Sequence, residues 1–243
     1  MHRYRLLWRG QLQPDQVSFQ YQPDQRFVPP PQLVEAAAEA CRESVRRGRQ
    51  VKNLPLYHLQ DWTETSQGLS FQLGWTCYED YLGLSLCAKE QAPWVLAVAA
   101  TTEIEGRLVL ERRSQAVAQG MGLLHVKPSG HIHPPQTVWQ ALLAESWEEL
   151  ALKPEEVLEG RCLGLVQSLT ANCYCLIYTV KTALSWAEWS LRQPEDAWEA
   201  EELMGLGCDR ESLDEWLAGP PERATGPGLA AVRLYRDFKY PEA

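Results

Sequence analysis

Two hydrophobic periods alternate along the chain. Weak every-other-residue alternation at 3–8 and 17–21 predicts edge strands. After the run Pro29 to Pro31 the spacing becomes helical: Leu33, Ala36, Ala37, Ala40, Cys41 and Val45 form one stripe over 32–47, and Gly48 is the stop signal. Strand patterns return at 54–59 and 69–73 around a polar turn at 65–68, with a short helix or structured loop at 78–86. A hairpin is predicted from 94–101 and 107–112 through Glu105-Gly106, followed by a short strand at 123–126. Residues 128–136 look like loop, and 137–152 like a helix ended by Lys153-Pro154, since proline disfavours helical geometry in the residue before it.

Beyond that helix, 162–169 and 174–182 have the character of paired strands turning at Ala171-Asn172. Helices are expected at 187–192, 195–206 and 211–217, an irregular loop at 219–228, and a closing helix at 229–238 with Leu229, Val232, Leu234, Tyr235 and Phe238 mainly apolar. Strands interspersed with helices predict an α/β (α+β) fold. Its expected organisation is an N-terminal extension or small lobe over 1–53 and a main domain over 54–243.

Composition narrows the classes. A chain of 243 residues can bury a substantial core. The longest apolar run, near 94–100, is far short of the roughly 20 residues a membrane-spanning helix needs. The opening MHRYRLLWRGQLQPDQ has no signal-peptide core, which predicts a cytoplasmic protein. Seven cysteines without a CxxC pair are expected to be reduced thiols. A net charge of −9 argues against a nonspecific nucleic-acid binder, while leaving room for a local basic patch that grips one small anionic ligand. The cluster Arg46, Arg47, Arg49 and Lys52 is first of all compensation for the negative end of the preceding helix, with phosphate binding as the alternative.

Candidate chemistry concentrates in Gly130 to Leu152, GHIHPPQTVWQALLAESWEELAL. Glu145, Glu148 and Glu149 stand at i, i+3 and i+4 and share one helix face. Packed like charges repel, so a hard cation with a preference for oxygen, such as Mg²⁺, is the natural companion. By itself this triad is also compatible with a solvated helix face. His131 and His133 have H-x-H spacing but no third ligand nearby, which makes zinc a poor candidate.

The stretch resembles the Nudix box, G-x5-E-x7-R-E-U-x-E-E-x-G-U with U a bulky apolar residue. Gly130, Glu145, Glu148, Glu149 and Leu152 fall on its first G, its three helical glutamates and its last U. Four positions depart: Gln136 for Glu, Ala144 for Arg, Ser146 for U and Ala151 for Gly. Further segments over 54–182 resemble a Nudix subgroup acting on UDP-glucose and UDP-galactose, whose box is degenerate at the same first Glu and Arg. They are Tyr78 to Gly83, the triplet Arg112-Arg113-Ser114, and Pro128 with Gly130-His131.

The resemblance implies a Nudix α/β/α sandwich with a mixed sheet, and a hydrolase that splits a nucleotide sugar into UMP and sugar 1-phosphate. It implies Mg²⁺, or Mn²⁺, on Glu145, Glu148 and Glu149, with Glu148 or Glu149 as the base. Substrate contacts are expected from Arg112, Arg113, Ser114, Gly130, His131, Tyr78, Asp80 and Tyr81. Without the resemblance the tyrosines are packing residues and the arginines a surface pair. A Nudix-fold module that binds nucleotides or nucleotide sugars without turnover stays open, because Gln136 and Ala144 remove box residues. So does self-association as a homodimer.

Overall fold

The computed structural model describes residues 3–242. Its strands are β1 (Tyr4–Leu12), β2 (Val17–Arg26), β3 (Pro55–Thr65), β4 (Gly68–Cys77), β5 (Val95–Ile104), β6 (Arg107–Arg113), β7 (Leu124–Val126), β8 (Ser129–His131), β9 (Val157–Ser168), β10 (Cys173–Thr182) and β11 (Ala200–Gly207). The helices are α1 (Val34–Arg46), α2 (Tyr78–Cys87), α3 (Val138–Leu150), α4 (Trp186–Ser190), α5 (Arg210–Ala218) and α6 (Gly226–Lys239). The main path of the sheet runs β1-β9-β10-β5-β3-β4-β2, and β6, joined to β5, carries β7 and β11 while β8 pairs with β5. It is mixed: β10 runs parallel to β5 and β2 parallel to β4, while β3 with β4 and β9 with β10 are antiparallel.

The unbroken apolar run of β5 explains the layering. Successive strand side chains point to opposite faces, so a central strand covered on both sides loses its polar alternation. Val95, Ala97 and Ala99 face a layer closed by Ala230, Ala231, Leu234 and Tyr235 of α6. Leu96, Val98 and Ala100 face Val138, Ala141 and Leu142 of α3. The result is the expected α/β/α sandwich, in which each such Val or Leu contributes about 1.5–3 kcal/mol on burial. The segment before position 54 joins this one sheet, β1 against β9 and β2 against β4. α1 packs on α2 where Gly83 lets the backbones meet, since a Cβ there would lie 2.2 Å from the Ala37 carbonyl oxygen.

Three sequence expectations change. The stretch expected as helix at 195–206 is a short 3₁₀ turn (Ala197–Glu199) leading into β11, antiparallel to β6. Its Glu, Leu, Met and Ala residues favour a helix, but the open edge of β6 offers a ladder that local propensity cannot anticipate. Within the expected loop 128–136, Ser129–His131 pairs with Ala97 to Ala99. The helix at 137–152 ends before the proline is felt: Ala151 adopts left-handed geometry, φ 51°, and the Leu152 N–H donates to the Ser146 carbonyl over 3.0 Å. With the Ala151 N–H donating to the Trp147 carbonyl at 2.9 Å this is an αL closure, at the position of the second glycine of the box.

Candidate active site

α3 starts cleanly: the Thr137 hydroxyl accepts from the Gln140 N–H while the Gln140 side chain reaches back to the Thr137 N–H. Toward its C-terminal end the inner face delivers Ser146, Glu149 and Leu150 to the interior. Ser146, in an apolar position of the box, is fully buried and satisfies its hydroxyl on the Leu142 carbonyl at 2.7 Å. Glu145 and Glu148 turn toward a cavity of about 440 Å³ bounded also by Tyr78, Tyr81, Arg113, His131, Asp196 and Glu199.

β8 brings Gly130 against Glu145. A Cβ at Gly130 would lie 1.9 Å from Glu145 Oε1, so only glycine leaves the carboxylate its place. Gly130 and Glu145 are therefore one packing unit. Among the described residues neither the Glu145 nor the Glu148 carboxylate takes part in a hydrogen bond or ion pair, although the Glu148 carbonyl accepts from the Asp196 N–H at 2.9 Å. Burial, then the nearby Glu199, pushes Glu145 up to about 8 against the pull of Lys127. Burial and Asp196 raise Glu148 as well. Each is a carboxylate short of positive charge.

Glu149 behaves differently. It is 4% exposed, and its Oε2 accepts from the Ser129 N–H at 2.7 Å while Oε1 meets the ammonium of Lys127. Burial raises this carboxyl too, with Lys127 opposing. Lys127, 1% exposed, also faces Glu111 at 3.2 Å and Glu199 at 3.3 Å, and Arg113 pairs with Glu111 at 3.0 Å. Desolvation disfavours charge on Lys127, but Glu149, Glu111 and Glu199 outweigh it and hold its pKa above the ordinary lysine value. Glu111 Oε2 lies within ion-pair range of Lys127 without an aligned hydrogen bond.

The expected triad is thus divided, with Glu145 and Glu148 on the cavity wall and Glu149 behind it. Among the described residues no group of three or more His, Cys, Asp or Glu side chains converges tightly enough to cage a metal ion alone.

Of the expected substrate contacts, Tyr78, Tyr81, Arg113, Gly130 and His131 line the cavity. His131 packs edge-on to Tyr78 and Tyr81, with ring centroids 5.7 and 5.4 Å apart. Burial, with His133 and Arg113 adding to it, lowers its pKa to about 3, so the imidazole is neutral. His133 also lines the cavity, its Nδ1 2.7 Å from the Pro55 carbonyl oxygen. Arg113 is turned in and donates to the Gln119 carbonyl at 3.2 Å.

Arg112, Ser114 and Asp80 do not line the cavity. Arg112, the next residue along β6, points outward and donates to the Gly122 carbonyl, as strand alternation requires. Ser114 is buried and accepts from the Ala116 N–H at 3.1 Å. Asp80 lies off the face that α2 shares between Tyr78 and Tyr81 and pairs with Arg26 at 3.5 Å.

Sequence reasoning missed Lys127, Glu111, Asp196 and Glu199. Lys52 lines the cavity and pairs with Asp196 at 3.2 Å, beyond any role at the end of α1. Asp196 and Glu199 were hidden by the helical assignment of 195–206, because only the β11 pairing carries them to the site. Lys127, a charge inside an apolar run beside Pro128, was the one visible signal.

No protein-family model and no curated protein sequence matches the chain. Among solved structures it is similar to a Deinococcus radiodurans protein at 22% identity, covering 57% of this chain and 80% of that one, TM-score 0.43. It is also similar to the Nudix domain of NrtR from Shewanella oneidensis, crystallised with ADP ribose, at 18% identity over 63% of this chain and 92% of that one, TM-score 0.44. A third is the bifunctional NMN adenylyltransferase/ADP ribose pyrophosphatase of Francisella tularensis, at 16% identity, TM-score 0.42; 59% of this chain matches only 39% of its length. Among the described residues no helix is long and apolar enough to cross a membrane.

Proposed function

We propose that the chain is a cytoplasmic Nudix-type pyrophosphohydrolase that uses Mg²⁺ or Mn²⁺ to split the diphosphate of a nucleotide sugar, UDP-glucose or UDP-galactose, into UMP and sugar 1-phosphate. The observation that carries it is the pair of unpartnered carboxylates, Glu145 and Glu148, held at box spacing on one cavity wall with Gly130 cut away to admit the first. The donor set fits a hard divalent ion, since Mg²⁺ is commonly bound by one or two carboxylates and completes its shell with water and substrate phosphate. When bound, such an ion neutralises phosphoryl charge.

The remaining work belongs to the chain. Arg113, already turned inward, donates to a phosphate oxygen. Neutral His131 with Tyr78 and Tyr81 forms an aromatic wall for the uracil or sugar. Glu148 is the carboxylate placed to take the proton of the attacking water, because Glu149 is committed to Lys127 and Ser129. The water oxygen bonds to one phosphorus, the bridging P–O bond breaks toward the other phosphate, and the proton ends on product phosphate or solvent.

UMP release by purified protein from UDP-glucose and UDP-galactose with Mg²⁺ tests this. Glu145→Gln and Glu148→Gln are expected to lower kcat by about 10²-fold or more. Cleavage of other nucleotide sugars or dinucleotides, but not these two, changes the substrate and keeps the class. One observation favours a second reading, a binding module without turnover: a lysine ammonium among the box acids, with alanine where the box has arginine. Tight UDP-sugar binding with no product over a range of Mg²⁺ and Mn²⁺ selects it.

A further inference from the structure

We infer that Lys127 is a tethered counter-cation of the acidic site: it is the positioning residue for Glu149, Glu111 and Glu199, and it confines divalent metal to the outer pair Glu145 and Glu148. The inference rests on the proposed metal role of those two carboxylates. Lys127 reaches the cluster from the β7–β8 connection rather than from α3, and its side chain is 2% exposed. Its ammonium faces three carboxylates, of which Glu111 and Glu149 have side chains 0% and 2% exposed. A charge is retained in such a place only when opposite charge meets it. Lys127 faces all three acids, Arg113 adds a second cation at Glu111, and Glu145, Glu148 and Asp196 add negative charge on the cavity side.

The arrangement orders the acids by depth. The inner oxygens of Glu149 are taken by one ammonium and one backbone N–H, which fixes the carboxylate without any external ion. The outer two, free of protein partners, are left to bind what diffuses in. Lys127 ties α3 to β6 and to the 3₁₀ turn before β11, so the element that sequence reasoning mistook for a helix is pinned to the site by the same ammonium.

Removing the lysine charge should leave buried carboxylates that recruit a metal in its place. The experiment compares wild type, Lys127→Met, Lys127→Arg and the double variant Lys127→Met/Glu149→Gln as full chains. Bound Mn²⁺ is counted by electron paramagnetic resonance of the free ion, and thermal unfolding is recorded in chelator and in Mn²⁺. Lys127→Met is expected to lose roughly 10 °C in chelator, to regain most of it in Mn²⁺, and to bind one more Mn²⁺ per chain than wild type. Lys127→Arg should keep the wild-type count. The double variant, with the Lys127–Glu149 pair removed and Glu111 still paired with Arg113, should match the wild-type count and gain no more stability from Mn²⁺ than wild type does.

Equal destabilisation of Lys127→Met with and without Mn²⁺, at an unchanged count, overturns the inference, because a lysine that only packs loses stability no metal restores. If Lys127→Met does not fold, the double variant decides: a folded protein with the wild-type count supports charge compensation, and failure to fold assigns Lys127 to packing and refutes it. Failure of the functional reading looks different. A wild type that releases no UMP removes the hydrolase, and one that binds no Mn²⁺ removes the metal role of Glu145 and Glu148, while the difference of one ion between wild type and Lys127→Met still reports on Lys127.

Discussion

Gly130→Ala isolates the contact on which the site geometry depends. The Gly130 backbone lies outside the left-handed region, so alanine meets no backbone strain there. The whole perturbation is the methyl group, which would stand 1.9 Å from Glu145 Oε1 and 2.2 Å from Cδ. To reach ordinary contact the carboxylate must retreat by about 1.5 Å. It can do so because it borders the cavity, and an off-rotamer side chain costs about 0.5–1.5 kcal/mol. Stability should therefore change little.

Activity should not be spared, since a misplacement of about 1 Å at a reacting centre can cost about 10²-fold in rate. UMP release and its Mg²⁺ dependence, measured beside thermal unfolding, give the comparison. The expected outcome is a folded protein with kcat lower by about two decades and weakened metal activation. In a Glu145→Ala background the same substitution should cost almost nothing further, because the contact is already gone. Unchanged rate and metal dependence in folded Gly130→Ala would falsify the placement of Glu145 in the reaction.

Ala151→Gly should stabilise the protein by about 1 kcal/mol, raising the unfolding midpoint by about 2–4 °C, because φ 51° costs alanine what it does not cost glycine; an unchanged or lower midpoint refutes the strain. In chelator, Glu145 binds its proton more tightly folded than unfolded, so its contribution is full below its ordinary value of 4.5 and is lost as pH rises toward about 8. Denaturant unfolding should follow that slope, and Glu145→Gln should flatten it; an unaltered slope in the variant assigns the effect to other groups. Arg113→Ala should raise KM about tenfold with a smaller change in kcat if the guanidinium holds phosphate in the ground state, and a kcat loss alone would relocate it to the transition state. Arg112→Ala, outside the cavity, should leave both constants within about twofold.

Most of the fold was legible because its cues are local. The stripe of α1, the hairpin of β5 and β6 through Glu105-Gly106, and the Thr137 start of α3 are each set by residues a few positions apart. The unbroken apolar run of β5 even announces a strand covered on both faces. Glu145 and Glu148 were visible for the same reason: helical period puts them on one side whatever else the chain does. Arg112 and Arg113 show the limit, since alternation requires that one point in and one out but does not say which.

Local pattern along the chain fixes the alternation of strands and helices and the acid face of α3, both consequences of short-range geometry, whereas the fit of Gly130 against Glu145 exists only once β8 meets α3. Which acids meet solvent and which meet Lys127 depends on packing between distant segments. That ammonium, Glu111 on β6, Glu149 on α3 and Glu199 before β11 lie up to 88 positions apart along the chain, and burial and charge pairing act through space. The stretch 195–206 is the clearest case: its residues favour a helix, and the hydrogen-bonding edge of β6 made the last part of it a strand, carrying Asp196 and Glu199 to the cavity.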